Sequence, residues 1–124
     1  MARVLVVEDD PTIAKVVTAC LRLDRHEVWT ATDLPSGVAW LQDEPADLIL
    51  TDLFTDSFSP NALADLAQLT EVAASTPIVV MTAHPQAAAH DPAAYGLRAI
   101  LLKPFSPQEL RTFVQSLLTE HPHP

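Results

Sequence analysis

Cysteine is almost missing. The 124-residue chain has one, Cys20, so neither a disulfide framework nor a cysteine-built metal cage can form. Set in an amphipathic stretch, it is expected to be a small buried hydrophobe. Basic residues are also few. Seven lysines and arginines against sixteen acidic residues leave a formal charge of -9. That balance repels nucleic-acid phosphates and offers them no basic stripe, so direct nucleic-acid binding is not expected. No apolar run approaches the roughly 20 residues of a membrane helix, and Val4 to Val7 is too short for a signal-peptide core. A soluble cytoplasmic protein without membrane contact is the expectation. Repeats, linkers and low-complexity tracts are absent too. One domain over residues 1–120 is expected, with a frayed tail at 121–124 whose His121 and His123 are read as solvated.

What is present suffices for a core, since 48% of the residues are hydrophobic. Four short apolar runs, Val4–Val7, Leu48–Leu50, Ile78–Met81 and Ala99–Leu102, are continuous rather than alternating, as in parallel strands buried on both faces. A fifth, Val28–Ala31, is weaker. Segments of helical length lie between them, so strand and helix alternate five times, and the reading is an α/β sandwich with a parallel sheet.

Helix starts carry their own chemistry. Asp10-Pro11 supplies a capping carboxylate and a proline whose missing N–H costs nothing at the first turn, followed by an apolar face of Ile13, Val16, Val17 and Leu21. Ser106-Pro-Gln-Glu109 is a capping box, and Leu110, Phe113, Val114 and Leu117 continue an inward stripe. Between Ala83 and Gly96, Pro85 and Pro92 interrupt an alanine-rich stretch, so the fourth helix is expected to be short, late or distorted. Trp29 and Trp40 are read as packing residues rather than a ligand platform.

Polar residues end the strands where packing gives no reason for them: Glu8 and Asp9 after the first, Asp52 after the third, Thr82 after the fourth and Lys103 after the fifth. In an open parallel sheet, ligands bind outside the carboxyl ends of the strands where the chain order reverses, so these residues should share one rim. Three neighbouring carboxylates repel one another unless a cation or a proton offsets them. An all-oxygen set suits a hard ion such as Mg2+, which keeps several waters and leaves positions for phosphate oxygens; Mn2+ is the alternative. With the Lys103 ammonium and the Thr82 hydroxyl opposite, the chemistry reads as phosphoryl transfer to a carboxylate.

Val6-Val-Glu-Asp-Asp10, Leu50-Thr-Asp52, Val80-Met-Thr-Ala83 and Leu102-Lys-Pro-Phe105 resemble the four signature segments of response regulator receiver domains of bacterial two-component systems, in order and at similar separations. The resemblance covers essentially the whole chain. It implies a doubly wound, flavodoxin-like five-stranded sheet of order 2-1-3-4-5 with five helices. It further implies that Asp52 is the phosphoacceptor and that Asp9 and Asp52 ligate Mg2+ directly, with Glu8 acting through water and the Phe54 carbonyl completing the protein ligands. Thr82 would donate to a phosphoryl oxygen, and Lys103 would pair with the phosphate, its bond to Pro104 being cis. The implied donor is a phosphohistidine on a histidine kinase or phosphotransfer protein. A phosphorylation-dependent homodimer is a further expectation.

The chain also departs from the family. Pro60 stands where a glycine is usual, so the loop after Asp52 would enter its helix with Ser59 as cap and Pro60 in the first turn. Ile100 replaces an aromatic residue three before Lys103, which removes an aromatic rotamer switch. Phe54 and His84, two residues after Asp52 and Thr82, flank the acceptor, and the apolar Phe54 suggests a long-lived phosphoryl group. Two other readings compete. One is a pseudo-receiver that signals as an interaction module without phosphorylation. The other is a phosphohydrolase resembling the haloacid dehalogenase group, disfavoured because such enzymes need a second aspartate where Phe54 stands. The expectation is a regulatory domain rather than an enzyme, either a stand-alone regulator or a receiver excised from a longer chain.

Overall fold

The apolar runs form five parallel strands: β1 (Arg3–Val7), β2 (Glu27–Ala31), β3 (Leu48–Asp52), β4 (Ile78–Thr82) and β5 (Ala99–Leu102). A computed structural model describes residues 2–53, 60–64, 66–73 and 75–120. The expectations for Phe54, Ser59 and the 121–124 tail lie outside these residues. Strand order is β2-β1-β3-β4-β5, with Val7 opposite Thr51 and Thr82 opposite Leu102 at the carboxyl ends. The order reverses between β1 and β3, which is where the expected rim lies.

Alternate residues of each strand face opposite ways, and each face has its own core. Val4, Val6, Leu48, Leu50, Val79 and Met81 point toward helices α1 (Pro11–Leu23) and α5 (Pro107–Glu120), where Val17, Leu21, Leu110 and Val114 meet them. Leu5, Val7, Ile49, Ile78 and Val80 point the other way, toward α2 (Leu34–Asp43), α3 (Pro60–Ala64) and α4 (Ala67–Ala73). Burial on both faces is why the strands read as unbroken apolar runs, each such side chain contributing roughly 1.5–3 kcal/mol. Val16 departs from its expected place on the inward face of α1. It is 46% exposed, on the rim of the stripe, while Val17 and Leu21 are fully buried.

The caps follow the sequence. Asp10 Oδ1 accepts from the N–H groups of Thr12 (2.8 Å) and Ile13 (3.3 Å). At α5, the Glu109 N–H donates to Ser106 Oγ at 3.0 Å and the Ser106 N–H donates back to Glu109 Oε1 at 3.3 Å. Between β4 and β5 the described residues form no α-helix. Two 3₁₀ turns, Pro85–Ala89 and Pro92–Tyr95, take its place, each opening on one of the two prolines. Pro92 has no N–H for an α-helical bond, and Asp91 caps the new start by accepting from Ala93 N. Cys20 is buried, as expected. Trp29 and Trp40 do pack, with ring centroids 5.4 Å apart and the Arg3 guanidinium 4.9 Å above Trp29. No helix among the described residues is long and apolar enough to cross a membrane.

Candidate functional site

β1 carries Glu8 and Asp9 out of the sheet and β3 ends on Asp52, so adjacent parallel strands set three carboxylates side by side. One oxygen from each lies within 4.8 Å of the others. Glu8 is almost wholly buried at 2% exposure, Asp52 is half-buried and Asp9 is exposed. The cluster therefore opens to solvent on the Asp9 side.

Lys103 enters from β5. Its Nζ lies 2.8 Å from Glu8 Oε1 and 3.3 Å from Asp52 Oδ1, and its side chain is only 15% exposed. The backbone aims it: Lys103 N–H donates to Thr82 O at 2.7 Å, extending the ladder by one residue, and the Lys103–Pro104 bond is cis, as expected. The second Glu8 oxygen, Oε2, accepts from the Asp10 N–H at 3.2 Å. Glu8 is thus held from both sides.

Burial is the largest influence on both members of the ion pair and works against both charges. It raises the Glu8 pKa above the ordinary glutamate value, with Asp52 adding to the rise and the bonds from Lys103 and the Asp10 amide opposing it. For Lys103 burial is outweighed: the bond to Glu8, the charge of Asp52 and its bond together hold the ammonium above the ordinary lysine value. The site keeps one firmly protonated cation among three acidic groups.

Thr82, 1% exposed, closes β4 one strand away. Its Oγ1 accepts from the His84 N–H at 3.1 Å, which leaves the hydroxyl hydrogen available to donate. The structure brings Glu8, Asp9, Asp52 and Lys103 together and puts Thr82 at the neighbouring strand end. The Asp10 amide was not foreseen. Asp10 reads in sequence only as a helix cap, and a main-chain donor leaves no trace in residue type.

The donor set fits a small hard cation. It is oxygen-only, anionic and partly exposed, and two of its three carboxylates, Glu8 and Asp52, also bind Lys103.

A family model described as response regulator receiver domain matches residues 4–115. Among curated proteins, the chain is 32% identical over 118 residues to the sensor histidine kinase TmoS of Ectopseudomonas mendocina, covering 94% of this chain and 12% of that one. It is 34% identical over 113 residues to the alginate biosynthesis transcriptional regulatory protein AlgB of Pseudomonas aeruginosa, covering 88% and 24%. The chain thus spans a quarter or less of these relatives. Protein PilH of Pseudomonas aeruginosa, 33% identical over 88 residues, is matched over 69% of this chain and 71% of its own length.

Solved structures agree. The chemotaxis response regulator CheY4 of Vibrio cholerae superposes with a TM-score of 0.78 at 28% identity, covering 95% of this chain and 99% of that one. The receiver domain of the Pseudomonas aeruginosa sensor histidine kinase PA1611, solved with magnesium coordinated in its active site cleft, gives 0.75 at 27% identity, covering 95% and 98%. With the sheet order, the strand-end residues and the family match in agreement, this chain belongs to the response regulator receiver domain family.

Proposed function

We propose that Asp52 accepts a phosphoryl group from a phosphohistidine of a histidine kinase or phosphotransfer protein, in a Mg2+-dependent reaction, and that the chain signals through that modification. The observation that carries the reading is the Lys103 ammonium lying between Glu8 and Asp52 beside the open Asp9 edge. An Asp52 carboxylate oxygen attacks phosphorus in line as the bond from phosphorus to the imidazole nitrogen breaks. The electron pair of that bond leaves with the donor histidine. Lys103 offsets charge on the equatorial oxygens, and the Thr82 hydroxyl, already oriented by the His84 amide, donates to one of them. A bound Mg2+, or Mn2+, held by Asp9 and Asp52 directly and by Glu8 through water, would supply further charge neutralisation and orient the phosphoryl oxygens. The Phe54 carbonyl belongs to the same proposed set.

The chain acts as a phosphoacceptor regulator and not as an enzyme on outside substrates, in the cytoplasm, with no direct nucleic-acid contact. The two 3₁₀ turns and Ile100 stand where a receiver's output surface is expected, which favours a changed route of signalling and a homodimer that depends on phosphorylation. They also give the pseudo-receiver its support. Incubation with Mg2+ and acetyl phosphate separates the two. A mass gain of one phosphoryl group that disappears in Asp52→Asn is expected, and no gain in the wild-type chain would leave the interaction module as the reading.

A further inference from the structure

A threonine interrupts one apolar layer of the core. Side chains of β3 alternate, so Leu48 and Leu50 face α1 and α5 while Ile49 faces the other way. Thr51 follows Ile49 on that second side, level with Val7 of β1 and Val80 of β4, and is fully buried. Both neighbours are valines of the same layer, and Leu53, just past the strand, belongs to it as well. A valine has nearly the same shape and would bring no polar atom into the layer, so packing gives no reason for the hydroxyl.

The hydroxyl has a use beside the acceptor. Thr51 Oγ1 donates to the main-chain oxygen of Asp52 at 3.0 Å. That oxygen belongs to the peptide plane between Asp52 and Leu53, through which the chain leaves β3. Pairing with β1 stops at Thr51, whereas pairing with β4 continues to Asp52, opposite Met81. Asp52 is therefore paired on one side only, and the Thr51 hydroxyl adds a hold that the β1 ladder does not supply. Its β-branched side chain is stiff at χ1, so in a packed layer the hydroxyl does not swing freely away from that carbonyl.

We propose that Thr51 is a positioning residue for Asp52. Its buried hydroxyl sets the Asp52–Leu53 peptide, and with it the direction of the Asp52 carboxylate and of the chain leading to Phe54. The role rests on the proposed acceptor chemistry of Asp52. In-line attack and metal ligation both need their oxygens held to within about 0.5 Å, so a small turn of this peptide is felt in both, although Thr51 touches neither ion nor phosphoryl group.

The test compares Thr51→Val, which keeps the shape and removes the hydroxyl, with Thr51→Ser, which keeps the hydroxyl and removes the methyl group. Three quantities are measured on the full chain: the urea midpoint, Mg2+ affinity by calorimetry, and the rate of mass gain from acetyl phosphate at saturating Mg2+. Thr51→Val should have the higher midpoint of the two variants, because it fills the apolar layer, yet lose about tenfold in both affinity and rate. Thr51→Ser should have the lower midpoint, because it opens a methyl-sized gap, yet stay within about threefold of the wild type in affinity and rate. Affinity and rate unchanged in Thr51→Val, equal losses in the two variants, or losses that follow the order of the midpoints would overturn the positioning role while the acceptor reading stands. A wild-type chain that gains no phosphoryl group would sink the acceptor reading itself, and the positioning role with it.

Discussion

Lys103 Nζ sits 2.8 Å from Glu8 Oε1, joining residues 95 positions apart in sequence across the carboxyl ends of β5 and β1. The ammonium already occupies the negative field that a divalent cation would use. Lys103→Ala therefore leaves three carboxylates without their internal counter-charge. Mg2+ affinity measured by calorimetry should rise about tenfold, while phosphorylation by acetyl phosphate should slow on the order of a hundredfold if Lys103 is the proposed donor to the transferring group. An affinity that stays the same or falls would show that Lys103 does not share the metal's field.

Acid sensitivity is predicted at the opposite end of the sheet. Burial lowers the His26 pKa below the ordinary histidine value, and the nearby Asp24 carboxylate opposes that only in part. Its Nδ1 accepts the Ala2 N–H at 3.2 Å, a bond that protonation removes. Because the folded pKa lies below the unfolded value near 6.5, the stabilisation is complete above that pH and fades as pH falls from there toward the folded pKa. The urea midpoint should decline between about pH 7.5 and about pH 5.5 in the wild type, and less in His26→Asn, which keeps an acceptor without titrating. Asp24 acts in a separate window. Its hydrogen bonds from Arg111 lower its pKa, so its contribution is present above about 3.8 and is lost only on further acidification.

Much of this architecture is legible in the residues themselves. Val4–Val7 and Ala99–Leu102 mark strands because burial on both faces leaves no polar alternation, and Asp10-Pro11 and Ser106-Pro107 mark helix starts because caps are local chemistry. Glu8, Asp9, Asp52 and Lys103 are recoverable because parallel strands end on one rim whatever loops connect them. Other features depend on what packs nearby. Val16 has the spacing of an inward residue but sits on the rim, since α5 covers only part of the α1 face. The prolines at 85 and 92 announce that an α-helix is disturbed, but they do not say that two 3₁₀ turns replace it. The Asp10 amide on Glu8 is a main-chain contact that any residue type could make.

Gly96 tests how those turns position the site. It closes the second turn at φ 75°, its N–H donating to Ala93 O at 3.2 Å, and the Arg98 N–H then starts β5 on Ile78 O at 2.8 Å. An added Cβ would lie 3.2 Å from Thr70 Cγ2 on α4. Gly96→Ala should therefore cost about 1–2 kcal/mol in urea unfolding, combining left-handed strain with the contact. Adding Thr70→Ser removes the methyl group while keeping the hydroxyl that bonds Ala67 O, so it should recover the contact part and leave the strain. Full recovery would show that the backbone conformation carries no cost.

Asp9 gives the sharpest separation of stability from function. It is the exposed member of the cluster and contributes an oxygen within 4.8 Å of those of Glu8 and Asp52, yet Lys103 bonds only the other two. Without a divalent ion its charge adds repulsion and no hydrogen bond to the lysine. Solvent reduces that repulsion, so Asp9→Asn should stabilise the metal-free chain by about 0.5–1 kcal/mol. Millimolar Mg2+ should raise the wild-type melting temperature through preferential binding to the folded state, and should raise that of Asp9→Asn much less. The two melting curves should therefore approach or cross as Mg2+ is added. A variant less stable than wild type without the ion, or equally stabilised by it, would mean that Asp9 is neither a source of strain nor a ligand. The crossing would tie both properties to one carboxylate, kept at a cost in stability because the site needs its charge.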